Sequence, residues 1–212
     1  MDIKNIFPLV LVLLFWAGCS QNNDTLPFYN TADLTAEWIA PTDAAYASIH
    51  QIAPFSFRNQ LGQIINSDSL RGHIYLANFF FSSCPIVCPR MMGNLDTVQR
   101  VFKKNKQVKL VSFSVMPWVD SVKRLYQYGK DHGINPQQWY LLTGNKNRIY
   151  KLSRESYFSE KKPGLSKAPD SFLHTESLLL IDKKSRIRGV YNATDTAQIK
   201  RVIADMELLL KE

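Results

Sequence analysis

Apolar positions in this chain fall into two kinds of run. From Ile74 to Phe81, from Val108 to Val115 and from Ser177 to Asp182 they are nearly continuous over strand length. That is the pattern of strands covered on both faces. Met91, Met92, Leu95, Val98 and Phe102 instead recur at helical spacing and predict a helix from Pro89 to about Lys104, with proline in its first turn. A second helix is predicted from Asp120 to His132, with Val122, Leu125 and Tyr126 inward and Gly133 as its stop signal. Phe55-Ser56-Phe57 and Gly62-Gln63-Ile64-Ile65 read as a hairpin-like pair of short strands. Tyr140-Leu141-Leu142 reads as a short strand and Lys146 to Leu152 as a short helix. After Ser177 to Asp182 the chain turns through Lys183-Lys184-Ser185 into Ile187 to Tyr191, and Thr196 to Leu210 is the closing helix. Strands alternating with helices, and two antiparallel strands late in the chain, give an α/β sandwich: a central mixed sheet flanked by helices.

The pattern changes ahead of residue 48. Lys4 precedes an apolar stretch from Ile6 to Ala17 that ends in Ala17-Gly18-Cys19-Ser20. A basic start, about a dozen apolar residues and small residues before a cut describe a secretory signal; a spanning helix needs about twenty. Cysteine directly after Ala-Gly is similar to a bacterial lipoprotein signal, which implies Cys19 as the lipidated first residue of the mature protein. Trp16 stands where such signals usually carry an aliphatic residue. Residues 20–47 are polar with scattered aromatics and read as a tether. The expected organisation is therefore a leader over 1–18, a tether over 19–47 and one domain over 48–212, facing an extracytoplasmic space. Which membrane carries the lipid is left open by Ser20-Gln21.

Composition adds less. The 212 residues, 45% hydrophobic, suffice for one globular domain with a real core. The net charge of +8 invites an anionic partner. The basic residues are scattered, however, and their densest clusters, Lys103-Lys104-Asn105-Lys106 and Lys183-Lys184-Ser185-Arg186-Ile187-Arg188, read as a helix end and a turn. A solvated basic face, near an anionic membrane surface, is favoured over a nucleic-acid site.

The chemistry concentrates in Phe79-Phe80-Phe81-Ser82-Ser83-Cys84-Pro85-Ile86-Val87-Cys88-Pro89-Arg90. An apolar strand breaks into a paired-cysteine turn and then a helix, which is the thioredoxin-like order. The turn exposes thiols at the carboxyl end of a buried strand, and N–H groups at a helix start favour the thiolate. At positions i and i+4 the two sulfurs can share one helical face and converge on one ion. With Cys19 taken up by lipid, Cys84 and Cys88 remain as an isolated pair that can close on itself or hold a metal. Two thiolates can bind copper(I) or zinc, but a site that also accepts copper(II) wants an imidazole. Of the four histidines, His50, His73 and His132 read as ordinary surface, whereas His174 stands on the loop just before the third core strand. In a thioredoxin-like sheet that loop can lie beside the cysteine turn.

Cys84-Pro85-Ile86-Val87-Cys88-Pro89, Ser114-Val115-Met116-Pro117-Trp118-Val119-Asp120, Leu142-Thr143-Gly144 and Asp170 through His174-Thr175-Glu176-Ser177 together resemble the Sco/SenC family. The resemblance covers roughly residues 48–210. It implies a membrane-tethered thioredoxin fold that helps deliver copper to cytochrome c oxidase, with Cys84, Cys88 and His174 as copper ligands. Its acceptor would be the copper-A site of an oxidase subunit in the same compartment, the bacterial cell envelope. One position departs: where the family usually has Val-Asp-Pro this chain has Val115-Met116-Pro117, while Asp120 matches the later aspartate. Met116 reads as a filler of the same space.

Two other readings use the same residues. A thiol–disulfide oxidoreductase would cycle Cys84 and Cys88 through a disulfide, Cys84 attacking, to reduce the acceptor's cysteines. A copper or redox sensor would bind without transfer. A disulfide cannot hold copper, and bound metal protects the dithiol, so copper delivery and disulfide reduction can coexist.

Overall fold

A computed structural model describes residues 25–159 and 175–212. Nine strands and four α-helices are described: β1 Phe28–Tyr29, β2 Ala36–Glu37, β3 Ser56–Arg58, β4 Ile64–Asn66, β5 Ile74–Phe80, α1 Val87–Val101, β6 Val108–Ser114, α2 Val122–Asp131, β7 Trp139–Leu142, α3 Lys146–Lys151, β8 Ser177–Ile181, β9 Ile187–Asn192 and α4 Thr196–Lys211.

β5 is buried at all seven positions because it lies at the centre of a five-stranded sheet of order β7-β6-β5-β8-β9. It pairs parallel with β6 and antiparallel with β8, and β6 pairs parallel with β7. Alternate residues feed two cores. On one face Leu76, Phe80 and Leu110 meet Met91, Met92, Leu95 and Val98 of α1 and Ile199, Val202 and Met206 of α4. On the other, Ala77, Phe79 and Phe113 meet Phe55, Phe57 and Ile65 of the β3–β4 hairpin, together with Ile149 and Tyr150 of α3. The rings of Phe79 and Phe113 stack at 5.2 Å between centroids. The mixed α/β sandwich is as expected.

Three local expectations are corrected. α2 begins at Val122, not Asp120, and Ser121 caps it by accepting the Arg124 N–H. Its inward face is Leu125 and Gly129, while Tyr126 is 46% exposed. Gly133 does stop it, at φ +64°, where a side chain would be strained. Within the second basic cluster, Arg186 and Arg188 are buried and not solvated. Asp182 neutralises them at 2.7 and 3.4 Å, and Glu212 approaches Arg188 at 2.6 Å.

Part of the stretch read as a tether is packed. Leu26 and Phe28 are buried, β1 pairs with β2, and Arg188 donates to the Leu26 and Pro27 carbonyls. No described helix is long and apolar enough to cross a membrane. Cys19 and the stretch read as a leader lie outside the described residues.

Candidate metal and redox site

β5 ends at Phe80, and the next six residues form the turn that carries Cys84 into α1. Cys88 is the second residue of that helix. Cys84 stands outside it, so the two sulfurs are not stacked on one helical face as the spacing suggested. They meet differently: the Cys88 N–H donates to the Cys84 Sγ at 3.4 Å. No side chain at Ile86 caps α1, and the sulfur takes a free N–H of the first turn. Both cysteines are free thiols, Cys84 half-buried and Cys88 buried.

Their acidities separate. Slight burial would raise the Cys84 thiol, but the N–H groups of Cys88, Ile86 and Val87 outweigh it, and its pKa falls below the ordinary cysteine value. Burial pushes Cys88 up to about 12; negative charge on Cys84 and Asp120 adds to the rise. At neutral pH, Cys84 is therefore the nucleophile, and Cys88 holds its proton until a metal or an approaching disulfide takes its sulfur.

Asp120 supports the turn from beneath. It is fully buried and accepts from the Ser82 hydroxyl, from the Ser82 N–H at 3.1 Å and from the Ser114 hydroxyl at 2.6 Å. Arg124 lies 3.6 Å away and donates to the Ser82 hydroxyl at 2.6 Å. This clasp joins the turn after β5, the end of β6 and the start of α2. Sequence reasoning matched Asp120 but missed Ser82, Ser114 and Arg124, which are ordinary residue types from three elements. Tyr128 was missed too. Its phenol is pushed well above the usual range by burial first, then by charge on Cys88, Asp120 and Cys84, which places it beside the pair.

Met116 is half-buried, and its carbonyl accepts the N–H groups of Val119 and Asp120 at 2.8 Å each. Its backbone thus shapes the turn that presents Asp120.

The three histidines read as surface are all occupied locally. His50 reaches the Ser156 carbonyl at 2.8 Å, His73 the Arg71 carbonyl at 3.3 Å, and His132 the Tyr128 carbonyl at 2.9 Å. His174 lies outside the described residues. The described residues resume at Thr175, two residues before β8, whose Leu178 pairs with Asn78 near the end of β5. Among the described residues no cluster of three metal-binding side chains occurs.

A strand, a turn carrying two free thiols and a helix on a mixed sheet define a thioredoxin-like dithiol protein. The SCO1/SenC family profile matches residues 44–211, and the chain belongs to that family. A SCO1/SenC family lipoprotein from Bacillus anthracis str. Ames is 30% identical at TM-score 0.66, covering 76% of this chain and 95% of that one. BsSco, a member of the Sco family of cytochrome c oxidase assembly proteins in which a disulfide switch was identified, is 27% identical at TM-score 0.64, covering 77% and 95%. Bradyrhizobium japonicum ScoI, solved with copper bound, is 27% identical at TM-score 0.56, covering 70% and 97%.

Proposed function

We propose that this chain is a lipid-anchored copper chaperone of the cell envelope that loads the copper-A site of a cytochrome c oxidase subunit. Cys84 and Cys88 hold copper, His174 completes the site, and Cys19 carries the lipid. The observation that carries this reading is the convergence of two sulfurs on an exposed turn. Two soft donors suit copper(I), and an added imidazole suits copper(II). The copper-bound ScoI and the oxidase-assembly role of BsSco support the choice of cargo and acceptor, and the Bacillus anthracis lipoprotein supports the anchor.

Loading would displace the Cys88 proton, because that thiol is protonated at neutral pH. Release needs no redox step. An acceptor thiolate or imidazole enters the copper shell, a protein sulfur leaves, and the Cys88 sulfur regains its proton as the ion departs. A turn at the sheet end exposes the ion to such exchange.

The unequal thiols favour one second reading, reduction of the acceptor's disulfide. The Cys84 thiolate attacks one acceptor sulfur, forming a mixed disulfide as the other acceptor sulfur leaves. Cys88 then gives up its proton and attacks Cys84 Sγ, releasing the second acceptor thiolate. The acceptor gains two electrons and the pair ends as a disulfide.

Copper loading of the reduced chain from Gln21 separates the readings. The chaperone predicts one equivalent of copper(II) with an intense thiolate-to-copper absorption, lost in His174→Ala, and no tight copper binding in Cys84→Ser. If no stoichiometric copper binds while the dithiol still reduces disulfides and His174→Ala behaves as wild type, the metal reading fails.

A further inference from the structure

The two ends of the central sheet carry different chemistry. The cysteine turn leaves the end of β5, whereas Lys103, Lys104 and Lys106 lie between α1 and β6, at the beginning of β5. Ile74, the first residue of β5, pairs with Val108 and donates to the Gln107 carbonyl at 2.9 Å. The β8–β9 turn reaches the same end: the Gly72 N–H donates to the Lys183 carbonyl at 3.0 Å. Lys103, Lys104, Lys106 and Lys184 are exposed, Lys183 partly so, and none of them is in a described salt bridge. Most acids of this end are already engaged, Asp68 by Arg71, Asp182 by Arg186 and Arg188, and Glu212 by Arg188. Among the described residues, Asp131 at the end of α2 accepts from the Gln127 amide and Asp43 near Lys184 from the Ala45 N–H, and neither is in an ion pair. Val101, 50% exposed, adds an apolar group to the basic surface.

The N-terminal chain arrives at this end. Arg188 holds the Leu26 carbonyl at 2.7 Å and the Pro27 carbonyl at 3.1 Å. It follows Ile187, which pairs with Ile181, itself paired with Tyr75, the second residue of β5. The described chain therefore begins at the end that carries Lys183 and Lys184, six residues after Cys19 in the sequence.

We propose that this basic end is a docking surface for anionic lipid headgroups, on which the body stands with its cysteine turn held away from the bilayer. The inference rests on the lipid-anchor reading of Cys19. Lysines within a Debye length of an anionic leaflet are attracted to it, so the anchor sets the attachment and the charges set which face lies down. Seven residues of β5 span roughly 20 Å. Cys84 and Cys88 would thus open toward a partner's aqueous domain and not toward lipid.

The test uses the chain from Gln21, since every buried contact described lies within residues 25–212. It is sedimented with phosphatidylcholine vesicles, with and without one-third phosphatidylglycerol. One variant combines Lys103→Glu, Lys104→Glu, Lys106→Glu and Lys183→Glu. A charge-matched variant combines Arg58→Glu, Arg90→Glu, Lys123→Glu and Arg148→Glu near the opposite end. Wild type should partition onto anionic vesicles only, and the first variant should lose at least tenfold, on the order of a hundredfold, with the second close to wild type. Vesicle binding should also protect wild-type amides at 103–106 and 183–184 from hydrogen exchange and leave the cysteine turn unprotected. Equal losses in both variants, protection at the cysteine turn, or tighter binding to duplex DNA than to vesicles at the same salt would overturn the proposal. The mass of the membrane-extracted full chain reports acylation of Cys19 separately, so failure of the anchor is distinguishable from failure of the docking surface.

Discussion

Asp120 and Asp182 are both buried, at opposite ends of one sheet, and they are stabilised by different partners. Asp182 faces two buried arginines at 2.7 and 3.4 Å and accepts the N–H groups of Lys184 and Arg186 at 2.9 and 3.0 Å. Asp120 has two serine hydroxyls, one N–H and a single arginine at 3.6 Å whose side chain is 48% exposed. The first cluster fastens permanent structure: β8, β9, the first described residues and the C-terminus. The second positions a turn that must open to a partner. Hydroxyls hold a carboxylate in place without cancelling its charge, Arg124 offsets that charge only in part, and the remainder adds to the rise that burial imposes on Cys88. Asp182 thus serves stability, whereas Asp120 positions the cysteine turn and adds a minor share to the rise at Cys88.

Replacing Asp182 by Ala gives the largest expected effect. It strands two buried guanidinium groups, of which Glu212 relieves only one, and should cost about 3–5 kcal/mol. Urea unfolding would show a much lower midpoint, with Cys84 alkylation in the still-folded fraction unchanged. A loss below about 1 kcal/mol, the scale of an exposed pair, would mean that water replaces the carboxylate and that the cluster is not a closed one.

Asp120→Asn should be milder for stability, about 1–3 kcal/mol, since the amide keeps one acceptor oxygen and Arg124 can turn to solvent. Its signature lies in the thiols. Removing the negative charge lowers the Cys88 pKa from about 12, so Cys88 should be alkylated faster at a given high pH. If stability falls as far as in Asp182→Ala while Cys88 reactivity is unmoved, the two carboxylates do the same job and the distinction collapses.

The contrast also marks where sequence reading succeeds. β5, β6 and β8 were legible because strands covered on both faces need unbroken apolar runs, and α1 because five buried side chains keep one phase. α2 was misphased. Leu125 is its one fully buried large apolar side chain, so Tyr126 and Tyr128 could not be ranked without its true start. Lys183 through Arg188 read as one solvated basic stretch, yet burial of Arg186 and Arg188 depends on Asp182 across a turn and on Glu212 from the end of α4. Likewise the cysteine spacing announced a dithiol site, while the Ser82–Asp120–Ser114 clasp became visible only when the strands lay side by side.

The subtlest difference between the two thiols is read in the wild type. Cys84 titrates below an ordinary cysteine and Cys88 near 12. Alkylation at Cys84 should therefore rise with pH and level off earlier than for a free thiol, with Cys88 silent throughout. Copper(I) affinity should carry the same two regimes. Between the two pKa values only Cys88 gives up a proton, and affinity gains about tenfold per pH unit; below the Cys84 value both thiols must be deprotonated, and the slope doubles. Titrations against a competing chelator from pH 5 to 9 would show the break at the Cys84 pKa. A single slope through the whole range would mean that the two sulfurs titrate as equals and that burial of Cys88 does not divide them.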